Sequence, residues 1–130
     1  MTMAAQYQKY QAQSVGSLTP GEQIILLFEH AVAKLNLAIS CIDQKDISGA
    51  HNAIVRVQNI YQFLSDHLDM RMEISQNLFS LYQFIYDELV QANLKKDPEI
   101  LRKMLAMTRD FKDTWKQADR LSRMPGAIAR

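Results

Sequence analysis

The sequence predicts an all-α fold: an antiparallel up-down four-helix bundle with an additional short, mobile N-terminal helix or segment. Three observations carry that expectation. Apolar residues recur at alternating steps of three and four along long stretches, the spacing that keeps one helix face on a core. Helix-start signals stand at Thr19-Pro20 and at Asp97-Pro98. No stretch alternates apolar and polar residues with a period of two for a useful length, so strands are not expected.

The elements follow in order. Residues 3–13 suit a short helix, which Gly16 and Pro20 separate from what comes next. Thr19-Pro20-Gly21-Glu22 reads as a helix start, with Thr19 as N-cap, Pro20 at the first helical position and Glu22 completing a capping box. That helix is expected to run to about Asp43. After the turn "DQKD", Asp46 can cap a second helix with its seam at Ile47, Ala50, Ile54, Val57, Tyr61, Leu64 and Leu68. "DMRME" leads to a third helix beginning near Ile74, with Ile74, Leu78, Leu81, Ile85, Leu89 and Ala92 facing inward. "KKDPE" repeats the start logic, Asp97 as N-cap and Pro98 first. The fourth helix carries Leu101, Met104, Thr108, Phe111, Trp115 and Ala118 on one side. Short connections make consecutive helices antiparallel. One domain over 1–130 is expected, with a mobile segment at 1–18, the bundle at 19–120 and a flexible tail at 121–130 around Pro125-Gly126.

The totals fit this picture. A chain of 130 residues, 48% hydrophobic and 22% charged, can bury a real core. The net charge of +1 gives no general pull toward nucleic acid or an acidic membrane. Charge is nevertheless unevenly placed. Residues 1–94 hold five basic and nine acidic side chains, net −4, and residues 95–130 hold ten and five, net +5. Paired charges on solvated helix faces account for this; the alternative is a docking surface for an acidic partner or an anionic membrane edge. Cys41 is the only cysteine, so a reduced, buried thiol in a reducing cytoplasm is expected. The N-terminus lacks an apolar secretory stretch, and the longest aliphatic-aromatic run, Ile24 to Phe28, is far short of a span, so no stable membrane insertion is expected.

The first long helix poses a question. On a helical wheel its seam is Ile24, Leu27, Phe28, Ala31, Leu35, Ala38 and Ile42, and Glu22, Glu29, Asn36 and Asp43 mark a narrow wet stripe. Beyond that stripe lie Leu26, Ala33 and Leu37, facing away from the seam. The third helix has a similar flank of Phe79, Tyr82, Tyr86 and Val90, and the second a shoulder of Ala53, Ile60 and Phe63. Each bundle helix touches two neighbours, which explains the shoulders. Leu26 and Leu37 need a fifth element or another molecule. Tyr7, Tyr10 and Val15 could supply a detachable cover over an apolar groove, one way to build a site for an amphipathic helix.

Catalytic chemistry is not visible. His30, His51 and His67 lack ligand-like spacing, and one cysteine cannot make a zinc pattern. No phosphate-binding glycine loop is present. The chain is therefore read as no enzyme, with no metal and no cofactor. The basic series Lys95, Lys96, Arg102, Lys103, Arg109, Lys112, Lys116, Arg120 and Arg123 is interrupted by acids and lacks stacking aromatics on its polar side, so no nucleic acid is expected.

Together these residues resemble the flagellin export chaperone family, FliS, from about Tyr7 to Ala118. The likeness runs through Tyr10-Gln11, Ser14-Val15, Thr19-Pro20 with Glu22, "ILLFEHAVAKLNLAI", Gln58, Ile60, Leu64 and Leu68-Asp69. It continues through "ISQNLFSLYQFIYDELVQANLKKD", with Leu81-Tyr82 and Ala92-Asn93, to Trp115 in "DFKDTWKQA". Phe28 stands where that family often has tyrosine. The resemblance implies a cytoplasmic helical-bundle chaperone that binds the disordered C-terminal segment of flagellin and prevents premature polymerisation. It also implies delivery to a flagellar export gate component, and it leaves room for a co-chaperone. Tyr10, Pro20, Leu81 and Tyr82 match the family pattern; Leu26, Leu37, Ile60, Phe79 and Tyr86 come from the wheel. The competing expectation is a bundle whose surplus surface forms a homodimer.

Overall fold

The structure, a computed structural model, describes residues 2–3 and 17–123. The expected short N-terminal helix, Tyr7, Tyr10, Val15 and the tail from 124 onward lie outside the described residues. Among the described residues the chain forms α1 (Pro20–Asp43), α2 (Ile47–Asp66), α3 (Glu73–Lys95) and α4 (Pro98–Ser122). Each helix packs on two neighbours, α1 on α2 and α4, α3 on α2 and α4.

The ends are set by the local chemistry that the sequence advertised. Thr19 Oγ1 accepts from Glu22 N at 3.2 Å, and Glu22 Oε1 accepts from Thr19 N at 3.1 Å, a complete capping box. Asp46 caps α2 by accepting from Gly49 N at 2.9 Å, and Asp97 caps α4 by accepting from Glu99 N at 2.9 Å. α3 closes on Lys96 in the left-handed region, φ 50°, whose Nζ donates to Asn93 Oδ1 at 2.7 Å. Burial, then the neighbouring Asp46 carboxylate, push the Cys41 thiol above its ordinary pKa.

Cross-helix contacts give the direction. Asn93 pairs with His51 at 3.0 Å, and Gln83 Nε2 donates to Ser65 Oγ at 3.3 Å, so α2 and α3 run antiparallel. Between α1 and α4, Lys116 meets Glu29 at 3.3 Å and Arg123 meets Glu22 at 2.9 Å. These two pairs step seven residues forward on α1 and seven back on α4. Two members of the wet stripe of α1, Glu22 and Glu29, thus meet two cations of α4 along one seam. Exposed pairs of this kind add little stability, about 0–1 kcal/mol each, but they favour one partner and one orientation. At the open end Arg123 also binds Asp119 at 3.2 Å. A Cβ at Gly21 would fall 2.6 Å from Asp119 Oδ1, so a side chain there would displace that carboxylate. Arg123 and Thr19 hold the Glu22 carboxyl below the usual carboxylate range, the Thr19 backbone contributing most.

The core is centred on four rings, one from each helix. Phe28 lies 6.3 Å from Tyr61, 6.4 Å from Tyr82 and 5.7 Å from Phe111, stacked on the last at 15°. Tyr61 and Tyr82 are 5.7 Å apart, and Tyr82 meets Phe111 edge-on at 5.3 Å. Ring pairs at such distances add about 0.5–1.5 kcal/mol each beyond the area they bury.

One buried polar pair crosses this core. Thr108 Oγ1 donates to Met104 O at 2.7 Å, which uses its only proton, so the 2.6 Å contact with Tyr61 has the tyrosine as donor. Burial pushes the Tyr61 phenol well above its ordinary pKa. Thr108→Val should therefore cost about 1–3 kcal/mol by stranding the Tyr61 hydroxyl, read as a drop in urea midpoint. Adding Tyr61→Phe to that variant should recover most of the loss, and a double variant no better than the single would refute this account.

Candidate apolar groove between α3 and α4

The most apolar helix is far from fully covered. By length and composition α1 would pass for a membrane span, with mean hydropathy 1.6 over its best window, and a bundle core helix passes the same test. Its seam packs inside, yet only 28% of that window is buried. The surplus seen in the sequence is present in the folded chain.

The structure distributes the expected site residues unevenly. Tyr82 and Ile60 are buried, at 1% and 8% exposure, and present no docking surface in this arrangement. Tyr82 turns inward because its ring joins the four-ring cluster, which displaces Leu81, expected on the seam, to 41% exposure. Ile60 joins the same core from α2. Ile47 and Ile74, expected to begin their seams, are instead exposed, each in the first turn of its helix. On the outside, Pro20, Ala33, Leu37 and Phe79 are exposed, and Tyr86 is half-buried. Leu26 is half-buried beside Leu18 and Ile25, in a hollow between α1 and α4 rimmed by Glu22, Glu29, Lys116 and Arg120.

A groove of about 440 Å³ that the sequence did not mark opens between the first half of α3 and the second half of α4. Ile74, Leu78 and Leu81 form one wall; Met107, Phe111, Trp115 and Ala118 form the other, with Asp110 and Thr114 at the rim. At the far end of this helix pair a two-residue link, Lys96-Asp97, holds α3 and α4 together over buried Leu89, Ala92, Leu101 and Leu105. α4 packs more extensively on α1 than on α3. On the α3 side, Leu78, Met107, Phe111 and Trp115 pack against the core yet stay partly uncovered.

The groove floor is continuous with the core. Phe111 lines it and also stacks on Phe28. Burial raises the Tyr82 phenol above its ordinary pKa, while a hydrogen bond from the Trp115 indole works the other way. Trp115 thus links groove and core, and it also lines a shallow hollow with Thr19, Gly21 and Arg123 at the start of α1. Met72, Ile74 and Leu121, each more than half exposed, extend the apolar surface at this end of the bundle. Among the described residues no group of three or more His, Cys, Asp or Glu is placed to hold a metal.

A bundle of this shape with an open apolar groove can be compared with known families. The family model described as "Flagellar protein FliS" matches residues 3–122. The chain belongs to the FliS family. It is 34% identical over 118 residues to the flagellar secretion chaperone FliS of Bacillus subtilis, covering 91% of this chain and 89% of that one. The flagellar secretion chaperone FliS of Salmonella typhimurium is 30% identical over 107 residues, covering 80% and 79%. That of Vibrio cholerae is 27% identical over 121 residues, covering 88% and 89%.

Proposed function

We propose that this protein is a cytoplasmic flagellar export chaperone that binds the disordered C-terminal segment of flagellin, keeps it from polymerising and holds it ready for type III secretion. The relatives named as flagellar secretion chaperones support the process. The observation that supports the binding mode is the α3–α4 groove, apolar on both walls and without an occupant among the described residues. Both walls are helices, so a client finds no free backbone edge and docks through side chains, helix in groove. Ordering a disordered segment costs about 2–5 kcal/mol or more. Burying three or four large apolar side chains, at about 1.5–3 kcal/mol each, offsets that cost.

The described chain enters α1 beside Trp115 and Ala118. Release then comes from competition at an export gate component, with a co-chaperone as a further partner.

Trp115, the only tryptophan, sits in the groove wall and reports directly on docking. Titrating the protein with a flagellin C-terminal peptide should shift its emission and give saturable heat with a negative heat-capacity change. A folded protein showing neither signal ends this reading. If sedimentation instead finds a stable dimer that ignores the peptide, the surplus surface belongs to a second copy.

A further inference from the structure

Charge is divided lengthwise along α4. On the edge facing α1, Lys116 and Arg123 are engaged with Glu29, Glu22 and Asp119. On the edge facing α3, the groove lining contains one charged side chain, Asp110. Asp110 is exposed and, among the described residues, makes no hydrogen bond or ion pair. Thr114, one turn further along α4, is the only other polar side chain of the lining.

We infer that the groove takes an amphipathic helix of about three turns that carries a lysine or arginine beside its apolar stripe, and that Asp110 engages this basic group. The inference rests on the proposed docking of a client helix there and adds which helices qualify. The length follows from the lining: Met107 to Ala118 covers eleven helical steps, about 16 Å at 1.5 Å per residue. The sign follows from what docking does to Asp110. A helix laid in the groove removes water from one side of the carboxylate. An apolar residue opposite leaves that charge poorly solvated and unpaired, and an acidic residue adds repulsion. A basic residue alone turns the desolvation into a gain. Among the described residues none of the cations of α4 pairs with Asp110, and Lys116 and Arg123 are engaged on the opposite edge. Asp110 therefore sorts partners by sign while the apolar walls supply the grip.

Two designed three-turn amphipathic peptides, identical except for lysine or glutamate beside the apolar stripe, test this with Trp115 emission as readout. The lysine peptide should bind the wild-type chain about threefold to tenfold more tightly, an advantage that shrinks with added salt. Asp110→Asn should erase the difference, and Asp110→Lys should reverse it; circular dichroism checks that both variants fold. Equal binding of the two peptides, or binding of neither, overturns the inference. The flagellin peptide supplies the separate arm. If it fails while the designed pair discriminates, the client assignment falls and the charge rule stands. If it binds but Asp110→Asn leaves its affinity unchanged, the charge rule falls and the client assignment stands.

Discussion

Replacing Phe28 with alanine is expected to remove about 3–5 kcal/mol of folding stability. Phe28 is fully buried, and its ring meets one ring from each of the other three helices. The vacated space cannot close easily. Tyr61 is tied to Thr108 and cannot swing inward without giving up that hydrogen bond, and Tyr82 is packed against Tyr61 and Phe111. Domains of this size have about 5–15 kcal/mol in total, so the variant should be marginal. The measurement is urea unfolding, where the midpoint should fall at an unchanged slope. A loss below about 1 kcal/mol would mean that the site collapses, and that the four rings do not act as one packed unit. Phe111 loses its stacking partner in the same variant, so the groove floor should loosen and client affinity should drop with the wall residues intact.

The fold could be read from the sequence because its signals are local. Thr19, Asp46 and Asp97 cap the helices that the apolar period outlines, and each bond closes within three residues. What could not be read is rotation. Leu81 and Tyr82 are adjacent and both apolar, about 100° apart on the helix, and periodicity fits either one inward. Tyr82 wins because three rings from other helices await it and Trp115 meets its hydroxyl, information that lies on four separate segments. The groove escaped for a related reason. The pattern assigns Leu78, Phe111 and Trp115 to seams correctly, but a seam does not say how far two helices stand apart. That separation depends on how α4 divides its packing between α1 and α3. Both halves of the α1–α4 interface are visible in the sequence, Glu22 and Glu29 on one helix and Lys116 and Arg123 on the other. Only the antiparallel register, seven forward against seven back, joins them into one interface. The back row of α1 is expected to face away from the seam; Ala33 and Leu37 are exposed there, while Leu26 is half-buried in the hollow beside α4.

Leu81→Asp should weaken client binding at least tenfold, while Leu37→Asp should leave it unchanged. The two positions start from similar exposure, 41% and 46%, so each variant should fold and any difference in binding belongs to the site. Leu81 forms part of the α3 wall, facing Met107 and Phe111 across the groove. Docking would complete the burial of its side chain, an interaction of about 1.5–3 kcal/mol for a full leucine. Aspartate forfeits that and adds the cost of moving a carboxylate out of water, so a factor of ten is a lower bound at about 1.4 kcal/mol per decade. Leu37 lies on the outer face of α1, opposite the seam and away from that wall. Calorimetric titration of both variants with the same flagellin peptide decides between two surfaces that the sequence leaves equally eligible. Loss at Leu37 with full affinity at Leu81 would move the client to the back of α1, and loss at both would require a segment long enough to wrap from one face to the other. Loss at Leu81 alone leaves α1's exposed row to a different partner, and it makes the groove between α3 and α4 the place where the bundle's apolar surface is completed by another chain.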